Sequence, residues 1–359
     1  MTNIKTSLTQ NILQSKLIKF FIILIALTLT SGCYDYNELT DLAIINGMAI
    51  EMQDEQYKIT YEVINTSLNK DNEENKKSFN VSGTGCKLEL AIKDANQKLN
   101  KKPFLEQLKI VIIDKNIDIL NISDYIIRNN LLTSNFYLVL ADNPSEIISY
   151  ENKEATNNAT YIYNILNTIN YTKITNQFDF QINDIINKHK DIVIPKIEID
   201  NNITFATYGI YKKNTFIEYL NKENLESYEY FIKKKDIVLN NNDNSIYFYK
   251  IKNNIKIQDN AVISFKLEAK IDSLNTELNL RQKEAFTLLE EEFTSVLQPK
   301  LENFLKYLQD KESDILGINY LYYLKKPNNS DDTFFKNADL NLEINMHISR
   351  PGLTIKEVK

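Results

Sequence analysis

Cys33 is the one side chain whose type and surroundings specify a reaction. It follows Ser31 and Gly32 at the end of the run Phe20-Phe21-Ile22-Ile23-Leu24-Ile25-Ala26-Leu27-Thr28-Leu29-Thr30. Lys5, Lys16 and Lys19 precede that run, with no acidic residue among them. A basic start, a short apolar core and small residues at a cut site form the three-part layout of a secretory signal. A cysteine directly after Ser-Gly points to the lipoprotein version of that signal. Its thiol takes a diacylglyceryl group, the Gly32–Cys33 bond is cut, and Cys33 becomes the new N-terminus. Two acyl chains anchor a protein stably where one holds only marginally. A membrane-spanning reading fails on length, because crossing hydrocarbon takes about 20 apolar residues. The usual signal prefers Leu three places before the cysteine; Thr30 stands there, with Leu29 one step further out. The expectation is a signal segment over residues 1–32, a lipid on Cys33, and a chain working at the extracytoplasmic face of a membrane.

Other reactive types are sparse. The chain has two histidines. His347 shares the polar side of an alternating strand with Asp339, Asn341, Glu343 and Asn345, the pattern of a solvated face. His189 sits between Lys188 and Lys190 at the end of an expected helix, where a cation complements the helix dipole. There is no His-Glu-x-x-His and no Cys-x-x-Cys, so no metal site is expected. Gly83-Thr84-Gly85 reads as a turn opening a helix, where an anion could sit. It lacks the third glycine of a dinucleotide loop and the lysine of a phosphate loop. No Gly-x-Ser-x-Gly elbow occurs. Glu290-Glu291-Glu292 point in different directions around a helix and read as a solvated face. Tyr320, Tyr322 and Tyr323 close an expected strand, as a binding surface or as a partly buried sheet edge. With Cys33 committed to lipid, Cys86 has no disulfide partner in the chain and is expected as a small buried apolar residue. These residues define no catalytic, cofactor or metal site, and the chain reads as non-enzymatic.

The formal charge is -6 over 359 residues. Removing residues 1–32 takes away three lysines and no acid, which leaves -9. That balance argues against binding nucleic acid or anionic lipid by bulk charge, so attachment falls to the lipid. At 43% hydrophobic and 11% aromatic the chain can bury a core, and its length suits two or three domains. The abundance of Asn, Ile and Lys reflects AT-rich codons.

The elements that would carry these residues follow from periodicity. Leu42 to Glu51 and Gln56 to Asn65 read as strands joined across Gln53-Asp54-Glu55. Asp71 to Lys77 reads as a charged loop, followed by a short strand near Phe79 and a helix with Leu88, Leu90, Ala91, Ala95 and Leu99 inward. Leu108 to Ile113 and Phe136 to Ala141 read as buried strands, each followed by a helix: Ile117 to Arg128, and one opening at Asn143-Pro144. That order predicts an α/β layer with parallel pairing. Helices are expected over Ala159 to Asn170 and Phe178 to His189, then a strand over Ile192 to Ile199 and a boundary at Asp200. A hairpin follows at Thr204 to Leu220, then a helix at Lys222 to Lys234 and a strand at Val262 to Ile271. Asn279 to Gln309 is a long amphipathic helix that Pro299 should kink or split. Leu316 to Leu324 and Ala338 to Ile348 read as strands. The predicted class is α/β and α+β in three successive mixed domains, 33–150, 151–200 and 201–359. The last is an antiparallel sheet packed with a long helix.

Taken in order, these segments resemble the Ger(x)C lipoproteins, the C subunits of nutrient germinant receptors in spore-forming bacteria. The resemblance rests on Gly32-Cys33-Tyr34-Asp35-Tyr36-Asn37-Glu38-Leu39, then Asp41 to Gly47. It continues through Leu108 to Ile113, Ile122 to Arg128, Leu138 to Ile147, Thr207 to Tyr211, Asp314-Ile315-Leu316-Gly317, and Ile348 to Leu353. Tyr34 replaces the family's usual Trp, and Gln107 stands where a His often precedes the middle strand. The resemblance implies three α/β domains on the outer face of the inner spore membrane. It also implies integral-membrane A and B subunits as partners, and a role in assembly of the receptor rather than in catalysis. No nucleic-acid partner and no cofactor beyond the diacylglyceryl group on Cys33 is implied. The alternative reading is a solute-binding lipoprotein that hands a small molecule to a transporter. That class shows two similar lobes around a cleft, and no internal repeat is visible. A lipid-anchored hydrolase is a third reading, and it lacks the residue constellations of one.

Overall fold

A computed structural model describes residues 41–65, 77–128, 136–152, 155, 157–169, 190–212, 214–258, 260–275, 282–327 and 333–349. Chain contacts divide the protein into Met1–Leu42 and Ala43–Lys359. Gly32 and Cys33, His189 with its expected helix, and most of the charged loop at 71–77 lie outside the described residues.

The first sheet opens with β1 (Leu42–Gln53) and β2 (Gln56–Ile64), paired antiparallel with Gln53 opposite Gln56. A two-residue turn of this kind takes positive φ at both positions, and Asp54 (51°) and Glu55 (60°) adopt it. β3 (Ser78–Gly85) adds to β2 as an edge strand. Gly83-Thr84-Gly85 is therefore strand and not the expected turn. The glycines serve a close approach: a Cβ on Gly83 would stand 2.2 Å from the Ala95 nitrogen and 2.4 Å from the Ala91 oxygen of α1 (Leu88–Gln97). Asp94 of α1 accepts from the Thr84 N–H at 2.8 Å, and Lys98 donates to the Ser82 carbonyl at 2.9 Å. These side chains occupy outward backbone groups that an edge strand otherwise leaves free to recruit another chain. Cys86 is exposed, against expectation. It lies in the short link between β3 and α1, and Leu88 is the residue that enters the core.

The centre is parallel, as the element order predicted. β1 pairs with β5 (Ile110–Ile113), β5 with β6 (Tyr137–Leu140), and β6 with β7 (Ile192–Asp200). β8 (Asn202–Lys212) and β9 (Thr215–Tyr219) complete the order β3-β2-β1-β5-β6-β7-β8-β9, and β4 (Lys102–Phe104) pairs with β1 off that path. β7 and β8, on either side of residue 200, pair antiparallel in this one sheet. β5 and β6 are buried along their whole lengths because helices cover both faces. Val111, Ile113, Leu138 and Leu140 pack with α1 and α2 (Ile119–Arg128). Ile110, Ile112, Tyr137 and Val139 pack with α3 (Pro144–Ser149) and α4 (Asn158–Ile169).

The second sheet has the order β10 (Ile237–Asn241), β11 (Asn244–Ile257), β12 (Ala261–Ser273), β13 (Leu340–Ser349). Sequence reading found β12 and β13 but not β10 and β11, whose alternation is broken by an irregularity between Phe248 and Lys250. The sheet is antiparallel except at β12 and β13, which run parallel. Among the described residues three helices separate those two strands, and a crossover of that length allows the return in the same direction. α5 (Lys222–Ile232) precedes the sheet, and α6 (Lys283–Asp310) packs its Phe286, Leu289, Phe293, Leu297, Leu301, Phe304 and Leu308 into its core. α6 runs through Pro299 as one helix, not two. The buried stripe continues on both sides of the proline, and that packing outweighs its missing N–H. Residues 316–324, expected as a strand, form α7 (Ile318–Lys325), and α8 (Phe334–Asn337) follows. A short apolar run is ambiguous by period alone; Ile318, Leu321 and Tyr322 make the inward face at helical spacing.

Candidate functional site

Chemistry-bearing side chains gather where the first sheet meets the helices of the second. Asp191 directly precedes β7, and Asp314 lies between α6 and α7. The Asp314 N–H donates to Asp191 Oδ2 at 2.8 Å, and the Asp191 N–H donates to the Asp314 carbonyl at 3.0 Å. The Asp314 carboxylate turns the other way. Its Oδ1 accepts from Ile318 N–H at 2.9 Å and its Oδ2 from Asn319 N–H at 2.7 Å, which satisfies the first turn of α7. Gly317 links the two with φ 74°, a left-handed conformation that glycine takes without strain. Asp314 is 5% exposed. Burial pushes its carboxyl up to about 6, against the pull of the backbone N–H donors. The Asp-Ile-Leu-Gly step is thus a helix cap and a clasp between the two sheets.

Two further links tie the same junction. Glu312 pairs with Lys336 and, at 3.1 Å, with Lys212 of β8; the hydrogen bonds from Lys336 and Lys212 hold its carboxyl down at about 2. Glu218 of β9 accepts from the Tyr307 hydroxyl at 2.9 Å and pairs with Lys311 at 2.8 Å. Val193, Tyr208 and Ile210 of the first sheet, with Leu220 just after β9, also enter the core of the second.

A second buried cluster fixes α4. Glu62 of β2 is 2% exposed, and its two oxygens accept from the N–H groups of Asn158 (2.7 Å) and Ala159 (2.8 Å). A carboxylate at a helix N-terminus is favoured by the helix dipole. Burial nonetheless raises its pKa, with the two N–H donors and Ser78 acting the other way. Asn46 donates to Asn157 Oδ1 and Thr160 Oγ1, both at 2.8 Å, and clamps the same turn.

The remaining predicted residues do not converge. His347 is exposed on the outer side of β13, and its Nδ1 lies 3.1 Å from Glu290 Oε1. Glu290 also accepts from the Ile348 N–H at 2.8 Å, and Glu292 accepts from Asn241, so these two fasten the outer strands β13 and β10 while Glu291 stays exposed. Of the three tyrosines, now on α7, Tyr322 is buried and stacks on Phe334 at 3.9 Å, and Tyr323 is 47% exposed. Among the described residues no His, Cys, Asp or Glu side chains group to hold a metal ion. An open groove of about 600 Å³ runs beside α6, lined by Glu302, Leu305, Lys306, Gln309, Lys336 and Asp339. Its walls are mixed in charge and come from α6, α8 and the start of β13. Glu62 and Asp191 carried no sequence signal. Asp314 carries one, as an acid ahead of a glycine and an apolar run, but by period that run reads as a strand.

The arrangement defines a two-sheet α/β protein whose polar clusters fasten elements to one another. The chain belongs to the spore germination protein family: residues 35–199 match the Spore germination protein N-terminal domain, and residues 206–352 match Spore germination B3/ GerAC like, C-terminal. A solved structure described as the crystal structure of the GerBC protein is similar in fold, with TM-score 0.52 and 15% identity over 84% of this chain and 96% of that one. No curated protein matches. Among the described residues no helix is long and apolar enough to cross a membrane.

Proposed function

We propose that this protein is the lipid-anchored C subunit of a spore nutrient germinant receptor, needed for assembly of the receptor and for the germination response. The observation that carries the reading is order. A basic start, an apolar run and Ser31-Gly32-Cys33, the layout of a lipoprotein signal, are followed directly by matches to both spore germination domains, over 35–199 and 206–352. Signal cleavage between Gly32 and Cys33 and a diacylglyceryl group on Cys33 would hold the chain on the outer face of the inner spore membrane, beside integral-membrane A and B subunits. The division at 33–150, 151–200 and 201–359 belongs to the same reading. The clasps at Glu62 and Asp314 support a non-catalytic role, because each carboxylate is spent on backbone N–H groups.

The test is Cys33→Ala in sporulating cells. The variant is expected to lose its lipid by mass spectrometry, leave the membrane fraction and weaken the response to at least one nutrient. Unchanged membrane attachment refutes the anchor, and an unchanged response with the protein released refutes the receptor role.

A further inference from the structure

β13 is the last strand in the order of the second sheet, paired only with β12 among the described residues. In a parallel ladder alternate residues turn N–H and C=O towards the neighbouring strand, and the residues between turn theirs away. The Ile348 N–H goes to Glu290 and not to β12, so the outward set is Leu340, Leu342, Ile344, Met346 and Ile348. Among the described residues the first four have no partner on that side. Strand edges are normally blunted by brevity, lysine, proline or a bulge. β13 has ten residues, an unbroken register with β12, and neither lysine nor proline. α6 runs beside this edge. Glu290 holds it to Ile348 at one end, and Gln309 donates to the Ala338 carbonyl at 2.9 Å at the other. The open groove of about 600 Å³ lies at the Gln309 end and reaches Leu340, the first outward residue. Its rim is acidic. Asp310 and Asp339 make no ion pair among the described residues, and Lys336 is already held by Glu312, which leaves Lys306 as the unpaired base. Glu343 stands exposed midway along the outer side of β13, also without an ion pair. Leu340 and Ile344 face the core but are only partly buried.

We propose that an extended segment of a partner protein, with apolar and basic residues in alternation, adds to this edge as a further strand. The outward N–H and C=O groups of Leu340, Leu342, Ile344 and Met346 supply its backbone with hydrogen bonds, and the side chains on either side select it. Alternation follows from the two faces of a strand. On the side towards α6 its apolar residues would cover Leu340 and Ile344. On the outer side its basic residues would meet Glu343 and, at the groove, Asp339. The same acidic rim repels a nucleic acid or an anionic lipid. A second copy of this chain would bring that rim against itself, and like charges across a strand pair oppose the pairing. The inference rests on the strand edge and its charge, and it holds whether or not the chain is a receptor subunit.

The test uses the chain from Cys33 onward with Cys33→Ala, which carries no lipid. The probe is a fluorescein-labelled Lys-Val-Lys-Val-Lys-Val-Lys peptide, followed by anisotropy. It is expected to bind, a Glu-Val-Glu-Val-Glu-Val-Glu peptide is not, and the amides of Leu342, Ile344 and Met346 should exchange with solvent more slowly in the complex. Ile344→Pro removes one outward N–H and none that bonds to β12, a place where an edge strand tolerates proline. It should weaken binding on the order of tenfold. D339K/E343K should weaken it by roughly tenfold through charge reversal. E89K/E106K, the same change on exposed acids of the first sheet's side, should bind as the parent does. Equal binding of the two peptides, an equal loss in the E89K/E106K control, or full binding by a folded Ile344→Pro variant would overturn the inference. So would a dimer in sedimentation velocity without peptide, or binding that appears only after residues 350–359 are removed, since either gives the edge to a different strand.

Discussion

Asp314→Asn separates the two forces acting on the clasp. In the folded chain burial raises the Asp314 carboxyl to about 6. In the unfolded chain it returns to about 3.9. The folded state therefore holds a proton that the unfolded state has lost between those values, and stability falls as pH rises through that window. Below about pH 4 both states are protonated and there is no penalty; above about pH 6 the penalty is complete, on the order of 3 kcal/mol for two pKa units. Asparagine cannot ionise and escapes that cost. It also presents an NH2 where one oxygen had been, so either Ile318 or Asn319 loses its acceptor, at about 1–3 kcal/mol independent of pH. The variant should be the less stable protein near pH 4 and close to the parent near pH 7. Urea unfolding followed by circular dichroism at several pH values measures the difference. If parent and variant keep a constant gap across that range, burial does not penalise the charge. The N–H donors would then dominate, and the account of the clasp given above would be wrong.

Two other substitutions probe the scaffold. Glu62→Ala leaves the N–H groups of Asn158 and Ala159 buried without an acceptor and should cost about 2–6 kcal/mol in urea unfolding, with Glu62→Gln costing less because one oxygen and no charge remain; equal stability of Glu62→Ala and the parent would show that water replaces the carboxylate. Gly83→Ala puts a methyl group 2.2 Å from a backbone nitrogen, so α1 must move off β3, and thermal unfolding should show a loss of about 1–3 kcal/mol or more. An unchanged melting temperature would mean that the helix and strand are not in rigid contact.

Local pattern carried some of this structure by itself. The Gln53 to Gln56 turn, the buried runs at Ile110–Ile113 and Tyr137–Leu140, and the period of α6 are short-range features, and each is written in consecutive residues. The lipid signal proposed at Cys33 would likewise be a linear address, so it needs no fold to be legible. Tertiary structure decided the rest. Gly83 looked like a turn because glycine is ambiguous until the helix lying on it is known. Residues 316–324 became helix because Asp314 supplies acceptors to their N–H groups, and period could not choose for so short a run. β12 and β13 run parallel because the helices between them make a long crossover. The clasp itself joins residues 123 apart in the chain. Chemistry fixed by neighbours in sequence can be read from the sequence. Chemistry made by groups that meet only after the chain folds, such as Asp191 with Asp314 or Glu62 with the start of α4, belongs to the tertiary structure alone.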